Sequence, residues 1–331
     1  MSETISSRDR CGCAARRRLC DECESASTSF VACSLACLEC HRAAVHASAS
    51  AESAVRARAH IVESNRRRAL TREVDSVHRS QLSTLFGELT QGAELCIFGA
   101  DDAQDLDLER LAERFREIHL VDLDGEALAR VRDAQESAIR ARIVLHEGVD
   151  ASGLLEHLDA WGDRFPEREE LARVATEVTQ SIVHGLGRTF PAVASTCLLN
   201  RLALPFQRTW LVSRNHWAAL LSTISAIHLA TIAGAARPGG RCLLVTDVAS
   251  SREMPALAEQ RDRSLEELSE FVHDALDAGN LHLRPDPGAL LAQLSSPGMR
   301  TLVSEPRLSE GWLRRSGAET ELVYGLTFDR P

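Results

Sequence analysis

Soft metal ligands crowd the first part of the chain. The spacing is Cys11-x-Cys13, Cys20-x2-Cys23, Cys33-x3-Cys37-x2-Cys40-His41, then His46. Thiolates two to four residues apart suit tetrahedral zinc, because a short turn lets both face one ion. Cys11, Cys13, Cys20, Cys23, Cys33, Cys37, His41 and His46 would close two such sites, leaving Cys40 to spare. The segment holds little apolar material, so a metal would have to hold it folded. Two other readings stand beside zinc. One is an unligated, redox-sensitive tail. The other is an iron–sulfur site, although the compact Cys-x2-Cys-x2-Cys run of ferredoxins is missing. The remaining cysteines, Cys96, Cys197 and Cys242, are scattered through the rest of the chain.

A second set of residues could hold a nucleotide-like ligand. Gly99 directly follows the apolar run "LCIF", where backbone is expected to pass close to a cofactor. Asp122 lies 23 residues later at the end of "IHLVD", where a carboxylate can accept from both hydroxyls of a ribose. The full G-x-G-x-x-G fingerprint is absent. "GADDAQ" puts Asp101 and Asp102 where a pyrophosphate needs glycine. Two carboxylates repel a pyrophosphate but tolerate a sulfonium or an amino group. The pattern therefore favours S-adenosylmethionine over NAD.

These residues need elements to position them. From Glu94 the chain alternates short apolar runs with helical periodicity. Strands are predicted at 95–98, 118–124, 142–150, 192–199 and 241–247, with a long helical region from about 207 to 235. Such alternation demands a parallel sheet covered on both faces, with its ligand at the carboxyl ends of the first, second and fourth strands. Before it, residues 42–63 read as a solvent-exposed connecting helix. Leu70, Val74, Val77, Leu82, Phe86 and Leu89 mark an amphipathic helix ending near Gly92. Asp105 or Asp107 and Asp124 are expected as helix caps. His216 and His228 in the long helical region, and Trp210, Trp217 and Trp312, are expected to pack rather than to act on substrate.

Three blocks carry a resemblance. "GADDAQDLDL" (99–108), "HLVDLD" (119–124) and "RPGGRCLLVTD" (237–247) resemble the first loop, second strand and fifth-strand turn of bacterial class I methyltransferase-like proteins. The likeness covers the chain from about residue 65 onward. It implies a Rossmann-like, doubly wound, seven-stranded α/β sheet, parallel apart from an antiparallel last strand. By position, Gly99 and Asp101 would line the methionine end of S-adenosylmethionine and Asp122 would hold the ribose. Asp150 would reach the adenine edge, and Ser195, Thr196 and Cys197 would face the methyl group. Asp101 departs from the family, which has a glycine there. No catalytic acid or base is identified. At the other end, "CSLACLECH" resembles the second half of a HIT-type or MYND-like finger.

The resulting layout is a zinc-binding module at 1–46, a helical linker and N-terminal helices at 47–92 and a methyltransferase-like domain at 93–331. The chain has 331 residues and a net charge of −10, and every basic residue is arginine. Its acidity lies beyond residue 80, which disfavours general binding to nucleic acid. No run of about 18 uncharged apolar residues is expected to span a membrane. The polar N-terminus does not read as a secretory signal, so a cytoplasmic location is expected. Expected partners are a small-molecule or protein substrate and a protein recruited through the zinc module. The alternatives to an enzyme are a non-catalytic sensor or scaffold that binds S-adenosylmethionine or S-adenosylhomocysteine, and, from another class, a nicotinamide-dependent oxidoreductase.

Overall fold

The computed structural model describes residues 54–71, 75–92, 94–162, 164–209, 214–260 and 286–331 apart from 318, with a few residues between 267 and 274. The Cys/His-rich stretch, with Cys11, Cys13, Cys20, Cys23, Cys33, Cys37, Cys40, His41 and His46, lies outside the described residues, as does Trp210.

The α-helices longer than four residues are α1 (Ala54–Thr71), α2 (Ser76–Gly87), α3 (Leu108–Arg114), α4 (Gly125–Asp133), α5 (Arg168–Gly185), α6 (Leu199–Thr209), α7 (Arg214–Ala235) and α8 (Pro287–Leu294) among the described residues. The strands are β1 (Glu94–Phe98), β2 (Glu117–Asp122), β3 (Ile143–Glu147), β4 (Phe190–Thr196), β5 (Ala236–Ser250), β6 (Ser304–Leu308), β7 (Trp312–Ser316) and β8 (Glu319–Asp329). They form one sheet in the order β3-β2-β1-β4-β5-β8-β6, and β7 pairs with β8. Strands β1 to β5 are parallel, and β8 runs antiparallel to β5. The sheet thus has eight strands rather than seven. β6 and β7 both pair with β8, β6 at Leu326–Asp329 and β7 at Glu319–Val323.

Period-two alternation sorts the core. Leu95 and Ile97 face a cluster with Leu82, Leu85 and Phe86 of α2, Leu111 of α3 and Leu128 of α4. Cys96 and Phe98 face the other cluster, with Val174 of α5, Leu202 of α6 and Ile224 of α7. Burying each such side chain stabilises by roughly 1.5–3 kcal/mol. Residues 76–89, expected among the N-terminal helices ahead of the sheet domain, pack Leu82, Leu85, Phe86 and Leu89 into this core. The two N-terminal helices also divide later than expected. Asp75 caps α2, accepting from Val77 N at 2.8 Å and His78 N at 3.1 Å.

The uncharged stretch His216–Ala235 in α7 is long and apolar enough to cross a membrane, contrary to the sequence expectation. Trp217, Leu220, Ile224, Ile227 and Ile232 along it are buried among sheet and helix side chains, as in a core helix. The Pro238-Gly239-Gly240 turn lies within β5. Gly239 has φ +75, and a Cβ on Gly240 would sit 2.8 Å from the Arg237 carbonyl oxygen.

Candidate functional site

The strand order reverses between β1 and β4, which opens a crevice beyond the carboxyl ends of the parallel strands. Gly99 turns the chain there at φ +76, with its N–H donating to the Val121 carbonyl at 3.0 Å. A Cβ at this position would lie 2.7 Å from Cβ of Leu198. A packed leucine from the turn after β4 is thus a close neighbour that demands glycine here.

Asp122, at the end of β2, is 6% exposed. Its two oxygens accept from the N–H of Asp101 at 3.1 Å and of Asp124 at 3.0 Å. Burial pushes its pKa up, with the Asp101 carboxylate adding to the effect; Arg201 and the two N–H donors oppose it. Asp124 is a helix cap as expected, accepting from Ala127 N at 3.0 Å. Asp107 caps α3 in the same way. Asp150 shapes the turn after β3. One of its oxygens accepts from N and Oγ of Ser152 at 2.9 and 2.7 Å, the other from Leu155 N at 3.0 Å.

Two cavities of about 30 Å³ lie in the crevice. Asp122, Asp150, Leu198 and Ile61 line the first, and Gly99, Asp101, Thr196, Cys197 and Arg314 line the second. Arg201 borders both. Its guanidinium stands 3.1 Å from Oδ2 of Asp101 and donates to Oδ1 of Asn65 at 2.6 Å. Each cavity has room for only a few waters, far below the roughly 300 Å³ at which small-molecule pockets begin. Arg201 and Ile61 help to close this part of the crevice. Sequence reasoning missed both. The signal for Arg201 is a single charge inside the apolar run "CLLNRLAL".

Helix α1 crosses this edge on polar contacts. Asp159 accepts from Ala54 N, Glu156 pairs with Arg58, Glu126 with Arg66, and Gln104 donates to the Ala69 carbonyl.

Ser195 is placed differently from the expectation. It is fully buried, and its Oγ lies 2.8 Å from Nε2 of His228, toward α7. His228 is buried too, which lowers its pKa to about 4 against the opposing Ala151 carbonyl. It packs, as expected. His216 is an exposed surface histidine, its ring stacked on that of Phe165 at 4.4 Å.

Cys197 breaks the end of β4. Its φ is +50 and its N–H donates to the Val245 carbonyl at 2.7 Å. Among the described residues, four non-glycines have positive φ: Asp101, Ala103, Cys197 and Glu305. The first three line the second cavity. Strained backbone of this kind costs on the order of 1–3 kcal/mol per residue and gathers at functional sites.

Around Cys197 converge side chains from distant elements. Nε2 of His78 is 4.0 Å from its Sγ and 3.4 Å from Oδ2 of Asp105. Trp312 donates its indole N–H to Nδ1 of His78 at 2.9 Å. Arg314 lies 3.5 Å from Asp105 and pairs with Glu321. Burial pushes the Arg314 pKa down, but Cys197, then Glu321 and Asp105, push it up and prevail. Period two on β7 puts Trp312 and Arg314 on one face, the sequence signal that was overlooked.

No protein-family model matches the chain, and no curated protein is significantly similar to it. Among solved structures it is similar to the protein of "Conversion of a Disulfide Bond into a Thioacetal Group during Echinomycin Biosynthesis", with 14% identity, TM-score 0.38, and 76% of this chain and 80% of that one covered. A putative methyltransferase from Bacillus halodurans gives 8% identity and TM-score 0.38, covering 76% and 98%. An O-methyltransferase family protein from Burkholderia thailandensis gives 13% identity and TM-score 0.35, covering 76% and 55%.

Proposed function

We propose that residues 54–331 bind S-adenosylmethionine at the β1–β4 crevice and transfer its methyl group to an acceptor. The observation that carries this is the acidic crevice at the reversal of strand order. Asp122 ends β2 directly beside the strained Gly99–Ala103 loop, with no glycine fingerprint for a pyrophosphate. Asp122 would accept from the ribose hydroxyls, and Asp150 would border the adenine. Asp101 and Arg201 already form an ion pair. Together they offer an acceptor to an ammonium and a donor to a carboxylate, the two charges of an amino-acid end. Arg201 and Ile61 must move aside first. Transfer from a sulfonium needs mainly in-line positioning, so a general base is not required for the reading.

A second reading is favoured by that closure. A domain whose crevice is filled by its own arginine suits a non-catalytic sensor, in which ligand binding displaces α1. Titration of one sample with S-adenosylmethionine, S-adenosylhomocysteine and NAD tests both. Binding of the first two and not of NAD is expected. Binding of NAD alone would overturn both readings and restore the nicotinamide alternative. Binding without methyl release, across candidate acceptors, would leave the sensor.

We further propose that the Cys/His-rich N-terminal segment holds zinc and recruits a protein partner in the cytoplasm. The paired spacing of Cys20/Cys23 and Cys33/Cys37 supports this. Elemental analysis of protein prepared without chelator is expected to give about two zinc ions per chain, reduced by Cys20→Ser or Cys37→Ser. Metal-free protein would refute it.

A further inference from the structure

We propose that a third, larger cavity between α2, α4 and the loop after β1 is a second ligand site, which takes a small amino-carboxylate. Such a ligand carries one carboxylate and one ammonium on an apolar body, as a free aliphatic or aromatic amino acid does. The inference goes beyond the S-adenosylmethionine reading and does not rest on it.

Size is the first support. The cavity measures about 560 Å³, against about 30 Å³ for each of the two in the crevice. Small-molecule sites occupy roughly 300–1,000 Å³. Arg79 enters from α2, Arg130 from α4, and Asp102, Gln104 and Asp107 from the loop. Asp102, Ala103, Gln104 and Leu106 also border the second cavity, so this loop is a wall common to both.

Arg79 is the second support. It is half-buried, and its Nη2 donates to the Gln104 carbonyl at 2.6 Å. Among the described residues no carboxylate pairs with it, and its buried Nε has no hydrogen-bond partner. Oε1 of Gln104 is buried in the same way without a partner among the described residues, while its Nε2 donates to the Ala69 carbonyl at 3.2 Å. A guanidinium partly withdrawn from water with no anion beside it is costly, and an arriving carboxylate relieves that cost.

Charge narrows the ligand class. The cavity has two cations, Arg79 and Arg130, and Arg130 is held only loosely, 3.8 Å from Glu126. Its anions are Asp102, Asp107 and the exposed Glu109. Asp107 uses one oxygen to cap α3, and Asp102 accepts from Gln104 N at 3.3 Å. A phosphate would bring a second negative charge against three carboxylates. A simple amine would leave both arginines without an anion. A molecule with one charge of each sign meets both sets, its carboxylate on Arg79 and its ammonium toward Asp102. Leu106, Leu108, Ala127 and Val131 give the cavity buried apolar wall, which suits an aliphatic or aromatic body.

The test uses the full chain and saturation-transfer NMR, with L-leucine and L-phenylalanine as probes at millimolar concentration. Both are expected to bind, and leucinamide and isocaproate, which lack the carboxylate and the ammonium respectively, to bind more weakly. Arg79→Gln should weaken binding by roughly 10- to 100-fold, the effect of losing a charged hydrogen bond, and Arg79→Lys should restore part of it. Ala134→Trp, at an exposed position on the cavity wall, should block binding with Arg79 still in place. Thermal melts of each variant separate lost binding from lost fold. No signal from either amino acid overturns the proposal, as does binding unchanged in folded Arg79→Gln and Ala134→Trp. A last arm adds S-adenosylhomocysteine. Probe binding that persists beside bound S-adenosylhomocysteine supports two separate sites. Strict competition would put the probes in the crevice and overturn this proposal while upholding the crevice reading. S-adenosylhomocysteine that fails to bind would refute the crevice reading and leave this site to be decided by the Arg79 and Ala134 variants.

Discussion

At Asp122 function and stability pull apart. Its carboxylate is buried and its folded pKa is raised, so it favours the native state below its unfolded pKa and loses that contribution as pH rises through the folded value. At neutral pH the charge is therefore a cost to folding, opposed by two backbone N–H bonds. Asp122→Ala would leave both N–H groups short of an acceptor, at roughly 1–3 kcal/mol each. That variant should melt lower, whatever it does to binding. Asp122→Asn keeps one acceptor and removes the buried charge. It should melt close to the parent while binding S-adenosylhomocysteine roughly 10- to 100-fold more weakly, consistent with losing a charged hydrogen bond to the ribose. Calorimetry and thermal melts on both variants check this, and an Asn variant that binds like the parent would remove Asp122 from the site. Asp124→Ala, which removes only a helix cap, should cost about 1 kcal/mol of stability and leave affinity intact.

Three histidines set the acid limit. His119 and His146 are 2.9 Å apart across β2 and β3, and burial lowers both pKa values, helped at His146 by the His119 charge and opposed at His119 by Glu117. His228 is lowered to about 4. A base whose folded pKa is depressed binds more protons when unfolded. Stability is therefore full above pH 6.5 and is lost as pH falls below it. His228 alone should account for on the order of 3 kcal/mol by pH 4. Urea midpoints measured from pH 7.5 downward are expected to decline from about pH 6.5. A flat profile would contradict the buried, neutral histidines.

At the scale of elements, much was legible and some was not. The parallel strands could be read because strands buried on both faces are continuous apolar runs, as in "LCIF" and "AVAST". Asp107 and Asp124 could be read as caps because capping is local. Ser195 could not be placed. Successive side chains on a strand face opposite ways, so Ser195 and Thr196 cannot both enter one crevice. Arg201, Arg314 and His78 were invisible for a different reason: their partners lie far away in the chain. The Arg201–Asn65 bond joins residues 136 apart.

Helix α1 shows what such distant contacts imply. It buries Ala54 and Ala57 and holds the crevice mainly by polar contacts. Its bridges Arg58–Glu156 and Arg66–Glu126 are exposed on at least one side, and such pairs contribute about 0–1 kcal/mol each and weaken with salt. Amide exchange in residues 54–71 should therefore be faster than in α7 and should quicken as salt is raised. Equal protection of the two helices would mean α1 is fixed.

The whole molecule sets where the domain can be cut. Residues 52–331 form one compact unit. A chain beginning at Asp75 retains α2 and its cap and should still melt cooperatively, with easier ligand entry. A chain beginning at Gln91 loses Leu82, Leu85, Phe86 and Leu89, four buried side chains worth roughly 1.5–3 kcal/mol each, and should not. Cooperative melting of the shorter chain would show that α2 is not needed to complete the core.

The bond from Trp312 to His78 spans 234 residues. Cys197 meets groups that enter the chain at its beginning, its middle and its end. Loop-closure entropy delays such pairings during folding, so β7 and β8 should dock late. A nascent chain would thus carry a finished β1–β2–β3 half long before the surroundings of Cys197 exist. The surroundings of Cys197 would therefore form only once β7 and β8 have docked.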